Sequence, residues 1–238
     1  MAGYRRFFTN KIENNLVIEG EEFRHAVSVL RIKEGETIIV CDNSGDEYLA
    51  QITKIEKKCF NAQVIQKQEN NCEAKNEVIL ICGYLKGDKT ELIVQKAVEL
   101  GVKKIITFSS EFSSAYMNEN KLSRLNRVSV ESAKQCGRAI APTVEYAETF
   151  EKALTFGEGA TTKIFACEFA DKSDISLSEV CKTTAIVVGS EGGFSKEESD
   201  LAVQKGYKRV FLGNRILRAE TACIALCSIV MHSLGELK

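Results

Sequence analysis

Two stretches hold residue types that can do chemistry: Gly189-Ser190-Glu191-Gly192-Gly193-Phe194-Ser195 and Gly213-Asn214-Arg215-Ile216-Leu217-Arg218. Glycines let the backbone come close to a ligand and present its N–H and C=O groups. Gly189, Gly192 and Gly193 in the first stretch, with Leu212, Gly213, Ile216 and Leu217 around the second, therefore suit one pocket made largely of main chain. A plain tight turn is the other reading of such glycines. Arg218 closes the second stretch, where a guanidinium suits negative charge as it develops in a transition state. Glu220 follows two residues later and can accept a proton or orient Arg218. A carboxylate in a helix's first turn is also favoured by the dipole alone, so its chemistry is not exclusive. Glu191 carries the same ambiguity, as ligand contact or loop brace.

These residues need elements to position them. Ala185-Ile186-Val187-Val188 reads as a buried strand leading into the first loop. Ser195 and Glu198 form a capping box that starts a helix on its far side. Arg209-Val210-Phe211-Leu212 reads as a second strand, and Glu220 to Leu234 as a final helix, apolar nearly all round and so expected to be buried against protein, in this subunit or another. Upstream, strand-like 78–85 leads to helix 88–100, with Asp88 and Glu91 as a capping pair and Gly101 at its end. Strand 104–108 and helix 118–136, closed by Gly137, continue the alternation. Repeated strand–helix units imply a parallel sheet covered on both faces.

The first seventy residues read differently. Short alternating strands at 5–8, 16–18, 37–41, 48–55 and 60–66, with one helix over 21–30, suggest a small β-barrel. The polar stretch 68–76 is the expected linker, which gives a barrel over 1–70 and an α/β domain over 77–238.

Composition narrows the function. With 44% hydrophobic and 27% charged residues and a net charge of −1, the chain reads as a globular protein with a real core, and global charge says nothing for nucleic acid. Locally, 205–218 holds five basic residues and no acidic one, and 121–138 holds five basic and one acidic. Such runs are usually solvated faces. Nine scattered cysteines read as reduced thiols of a cytoplasmic protein, and no ligand set for a metal accompanies Cys223 and Cys227. No apolar run reaches membrane-spanning length, and the start is not expected to be a signal peptide. A dinucleotide fingerprint, a Walker lysine and a Gly-x-Ser-x-Gly elbow are all missing.

Lys86-Gly87-Asp88-Lys89, Gln95-Lys96, Glu99-Leu100-Gly101-Val102, Gln135-Cys136-Gly137-Arg138, the first glycine loop and Leu212-Gly213-Asn214-Arg215-Ile216-Leu217-Arg218-Ala219-Glu220-Thr221-Ala222, in that order, resemble the RsmE family of bacterial 16S rRNA uracil-N3 methyltransferases. Arg5-Arg6-Phe7-Phe8, His25 and Val29-Leu30-Arg31 extend the resemblance over most of the chain. It implies a SPOUT-type, trefoil-knotted parallel-sheet domain behind a PUA-like RNA-binding barrel. It also implies a homodimer without metal, with S-adenosylmethionine held by Gly189, Glu191, Gly192, Gly193, Leu212, Gly213, Ile216, Leu217 and Ala222. RNA contacts are expected from Arg5, Arg6, His25, Arg31, Lys86 and Arg138, the last as a phosphate holder. Packing is the competing role for the lone His25. Arg218 and Glu220 are the expected catalytic pair, and Phe112 and Tyr116 are candidates for stacking a flipped base. Ser190 and Asn214 stand where the family commonly has proline, Ala219 where it has threonine, and Phe112 where arginine is expected. Ribose 2′-O-methylation and a non-catalytic role in ribosome assembly are the alternative functions.

Overall fold

The structure is a computed structural model that describes residues 4–113, 115–167 and 172–237. The chain divides into two compact units: Met1–Glu73 with Val130–Ala141, and Ala74–Ser129 with Pro142–Lys238.

In the first unit, strands β1 (Arg5–Phe8), β2 (Asn15–Glu19), β3 (Thr37–Cys41), β4 (Glu47–Ile55) and β5 (Cys59–Gln68) form a five-stranded sheet in the order β1-β3-β4-β5-β2. The alternation read from the sequence is the cause: Leu16 and Ile18, Ile38 and Val40, Ala50 and Ile52, Phe60 and Ala62 all turn to one core. Phe7 meets Phe60 edge-on at 5.5 Å between centroids. The ladder does not close, because β1 and β2 remain its edges. The helix expected over 21–30 is split. Helix α1 (Gly20–His25) widens into one π-helical stretch, Ala26–Leu30. The N–H groups of Arg31 and Ile32 both close on the Ala26 carbonyl, which turns Ile32 into the core and leaves Val27 and Val29 outside.

The second unit is a six-stranded, all-parallel sheet in the order β11-β9-β10-β6-β7-β8. Its strands are β6 (Glu77–Gly83), β7 (Lys104–Phe108), β8 (Val144–Ala147), β9 (Thr162–Ala166), β10 (Thr183–Val188) and β11 (Lys208–Val210). From β9 the chain passes inward to β10, then returns to β11 on the other side of β9, so β9 is flanked by two later strands. Helices α2 (Lys89–Glu99), α3 (Glu119–Cys136), α4 (Phe150–Thr155), α5 (Lys196–Gln204) and α6 (Ala219–Ser233) complete it, except that the last turns of α3 group with the first unit. Gly101 and Gly137, at φ 91° and 85°, end α2 and α3 as their positions predicted. Asp88 does not cap α2 with its side chain, and Glu91 instead bonds Arg124 at 2.7 Å. The aromatic series Phe108, Phe150, Phe194 and Phe165, with centroids 5.1–5.9 Å apart, ties the core to the residue that follows the Gly-Gly pair. Helix α6 buries Cys223, Leu226, Cys227, Val230 and Met231, while Ile229 on its other face is exposed.

The basic run 121–138 does not form a free cationic face. Within the first unit, Lys134 bonds Glu22 at 2.6 Å, and Arg138 bonds Glu73 at 2.9 Å. The Arg138 side chain is only 2% exposed, and Glu73 Oε1 also accepts the N–H groups of Ala139 and Ile140, both at 3.0 Å. Arg138 and Glu73 together therefore organise the turn after α3. Breaking such a buried pair would strand a charge away from water. Arg6 is likewise occupied by Glu47 at 2.8 Å, with 9% of its side chain exposed.

Candidate functional site

In open parallel sheets, ligands sit beyond the carboxyl ends of the strands. Here that edge holds a cleft of about 580 Å³, lined by residues that directly follow β9, β10 and β11. Both glycine-bearing stretches reach it. Gly189, Glu191, Gly192 and Gly193 form one wall, and Leu212, Gly213, Ile216, Leu217, Arg218, Glu220 and Ala222 the other. All of the residues read from sequence as cofactor-binding or catalytic thus converge on one cavity.

The first loop is fixed from several sides. Ser190 and Gly193 close a tight turn, with the Gly193 N–H donating to the Ser190 carbonyl at 3.0 Å and Gly193 at φ 70°. Beyond it, Ser195 and Glu198 make the predicted capping box: the Ser195 hydroxyl accepts from the Glu198 N–H at 3.2 Å, and the Ser195 N–H donates to Glu198 at 3.0 Å. Ser190, which replaces a proline common in the resembled family, uses its hydroxyl to bond Ser110 at 3.0 Å. A Cβ on Gly83, at the end of β6, would lie 2.5 Å from the Ser190 nitrogen, so only glycine lets that strand pass beneath the loop.

Glu191 is a brace. Its carboxylate accepts a hydrogen bond from Lys89 at 2.9 Å. Burial pushes its pKa up, but the Lys89 hydrogen bond, backbone N–H groups and the Lys89 charge together hold it below the ordinary carboxylate value. A depressed folded-state pKa contributes stability above the unfolded-state pKa, and that contribution is lost as pH falls through the folded value. The thermal midpoint of the wild type should therefore exceed that of Glu191→Gln at neutral pH, with the gap closing as pH drops below 4.5, the ordinary carboxylate value. A gap independent of pH would show that Lys89 does not act on this loop through charge.

The second wall is more open. Ile216, on the cleft lining, is 98% exposed. Arg218 is the residue before α6 and is exposed; among the described residues no carboxylate pairs with it. Glu220 follows in the first turn, and its Oε2 is buried without a hydrogen-bond partner among the described residues. The strand ends add Ala166, Cys167 and Phe211, and α2 adds Lys89; sequence reading did not assign these. Lys89 was visible only as part of a motif, since its partner lies 102 residues away.

The expected RNA contacts are more dispersed. Arg5 is half-exposed, in a surface pair with Glu36 at 3.2 Å. Arg31 is exposed in a left-handed conformation, His25 is half-buried, and Lys86 is exposed within the connection from β6 to α2.

Models of two families match: an RNA methyltransferase domain over residues 72–231 and an RNA methyltransferase PUA domain over residues 18–65. Ribosomal RNA small subunit methyltransferase E of Mesomycoplasma hyopneumoniae is 33% identical, over 94% of this chain and 96% of the relative. The protein of the same name in Bacillus subtilis is 31% identical, over 90% of this chain and 89% of its own. Among solved structures, a ribosomal RNA small subunit methyltransferase E from Neisseria gonorrhoeae bound to S-adenosyl methionine is 28% identical, with a TM-score of 0.85 and 98% of both chains covered.

Proposed function

Because the chain belongs to the ribosomal RNA small subunit methyltransferase E family, we propose that it methylates N3 of a uridine in 16S ribosomal RNA with S-adenosylmethionine as donor. The observation that carries this reading is the cleft itself. It is of cofactor size, with main chain on both walls and, among the described residues, a guanidinium without a carboxylate partner and a carboxylate oxygen without a donor.

The residues fit the group. The glycine turns offer N–H and C=O groups at close approach, Leu212, Ile216, Leu217 and Ala222 offer apolar contact, and Glu191 and Lys89 keep the first wall in shape. When bound, S-adenosylmethionine supplies a methyl group made electrophilic by its sulfonium. Arg218 neutralises the charge that grows on uracil O2 and O4 as N3 gives up its proton. Glu220 accepts that proton or orients Arg218. Positioning of the two reactants supplies much of the remaining rate. Calorimetry with S-adenosylhomocysteine tests the cofactor assignment: binding at one site per chain is expected, and no heat at millimolar ligand would exclude it.

In the same reading, residues 1–70 hold RNA and 77–238 transfer the methyl group. Arg5 and Arg31 are the cations best placed for phosphate, since a surface pair such as Arg5–Glu36 is worth little and opens readily. Arg31→Ala should lower RNA affinity and reduce the slope of log K against log salt by about one. An unchanged slope in filter binding across a salt series would remove Arg31 from the interface. The reading also includes a homodimer in the cytoplasm; exposed Leu92 on α2 and Ile229 on α6 offer apolar surface for a second copy. No helix among the described residues is long and apolar enough to cross a membrane.

A further inference from the structure

A second cavity, of about 460 Å³, opens where β6 and β7 lead into their following loops, and the site described above does not use it. Its lining includes Tyr84, Lys86, Glu91, Tyr116, Lys121 and Arg124. Their charges are unequally satisfied. Arg124 is bound to Glu91 at 2.7 Å and faces Asp88 at 3.7 Å. Lys121 has no carboxylate partner among the described residues; its Nζ donates to the Tyr116 carbonyl at 2.5 Å and lies 5.5 Å from the centroid of the Tyr84 ring. Lys86 is exposed and likewise has no carboxylate partner there. Tyr116 is 79% exposed, with its backbone pinned by Lys121. A cavity with two ammonium groups that lack a carboxylate partner among the described residues, and an aromatic ring held out in solvent, fits an anionic ligand with a flat face.

Its place in the fold says which ligand. Both cavities lie at the carboxyl edge of one parallel sheet, the first beyond β9–β11 and the second beyond β6 and β7. The connection from β6 and the first residue of α2 together serve both, since Lys86 lines the second cavity and Lys89 the first. We propose that the second cavity binds a nucleotide neighbouring the target uridine in single-stranded RNA. Its base stacks on Tyr116, and its phosphate lies between Lys86 and Lys121. This rests on the methyltransferase reading of the first cleft and extends it: the uridine to be methylated is selected partly by a flanking nucleotide held beyond the reaction centre. Base–aromatic stacking tolerates any base, so the cavity adds affinity and register more than sequence choice.

The test compares wild type, Tyr116→Ala, Tyr116→Phe and Lys86→Ala in methylation of small subunits from cells lacking the gene, with S-adenosylhomocysteine affinity measured alongside. Tyr116→Ala should raise KM for RNA about 10-fold, from the loss of one stacked base, with kcat nearly unchanged. Tyr116→Phe, which keeps the ring, should restore KM. Lys86→Ala should raise KM and reduce its salt dependence by about one phosphate contact. Cofactor affinity should stay at the wild-type value throughout. Variants with wild-type KM and salt dependence would overturn the second cavity and leave the methyltransferase reading intact, as would a phenylalanine variant as poor as the alanine one. A wild-type protein that neither binds S-adenosylhomocysteine nor methylates the subunits would overturn the reading of the first cleft, and this inference with it.

Discussion

Arg218→Ala should lower methyl transfer by about two to three decades at saturating substrate, which is what loss of one transition-state donor typically costs. The side chain sits on the wall of the cleft, immediately before α6, and among the described residues no carboxylate competes for it. An interaction made only in the transition state lowers kcat without weakening the ground-state complex. Cofactor and RNA affinities of the variant should accordingly stay near wild type. Lysine at this position should recover only part of the rate, because a point charge cannot span two oxygens as a planar guanidinium does. Normal turnover at saturation combined with poor RNA binding would make Arg218 a phosphate clamp and pass the chemistry to Glu220.

Gly192→Val should abolish useful cofactor binding while the fold survives. A Cβ at Gly192 would lie 2.5 Å from Phe112 Cβ and 3.0 Å from the Phe112 carbonyl oxygen. The loop must then move away from Phe112, and misplacement on the order of 1 Å in such a site can cost about 100-fold. Calorimetry should show the affinity lost while circular dichroism stays native. Because half of the clash is a side-chain atom on an exposed residue, Phe112→Gly in the same chain should recover part of the affinity. Wild-type affinity in Gly192→Val would mean that this loop does not shape the cleft.

Phe112 illustrates where sequence reading ended. Gly192 looked like a glycine kept for the ligand's sake, and Phe112 like a departure from an expected arginine. The structure sets the two against each other, so the glycine also admits the phenylalanine. Local rules made the loops legible: a β-branched strand, glycines, then Ser195 and Glu198 at the spacing of a capping box, all of it realised. The helix ends at Gly101 and Gly137 were legible for the same reason. Contacts between distant residues were not. Lys89 finds Glu191 across 102 positions, and Arg138 finds Glu73 across 65, so a basic residue beside a motif gave no sign of being already neutralised. Continuous helical periodicity over 119–136 likewise could not reveal that the two ends of α3 serve different units. Nor could it foresee the π-helical stretch at Ala26–Leu30, where burying Ile32 decides the backbone path.

The central claim is that this cleft places a methyl group on uracil N3 of small-subunit RNA. Nucleoside mass spectrometry of 16S rRNA from cells with and without the gene tests it most directly. Loss of 3-methyluridine from the small-subunit RNA of the deleted strain, restored by the wild-type gene and not by the Arg218→Ala gene, is the predicted result. Unchanged 3-methyluridine, or loss of a 2′-O-methylated nucleoside in its place, would contradict it.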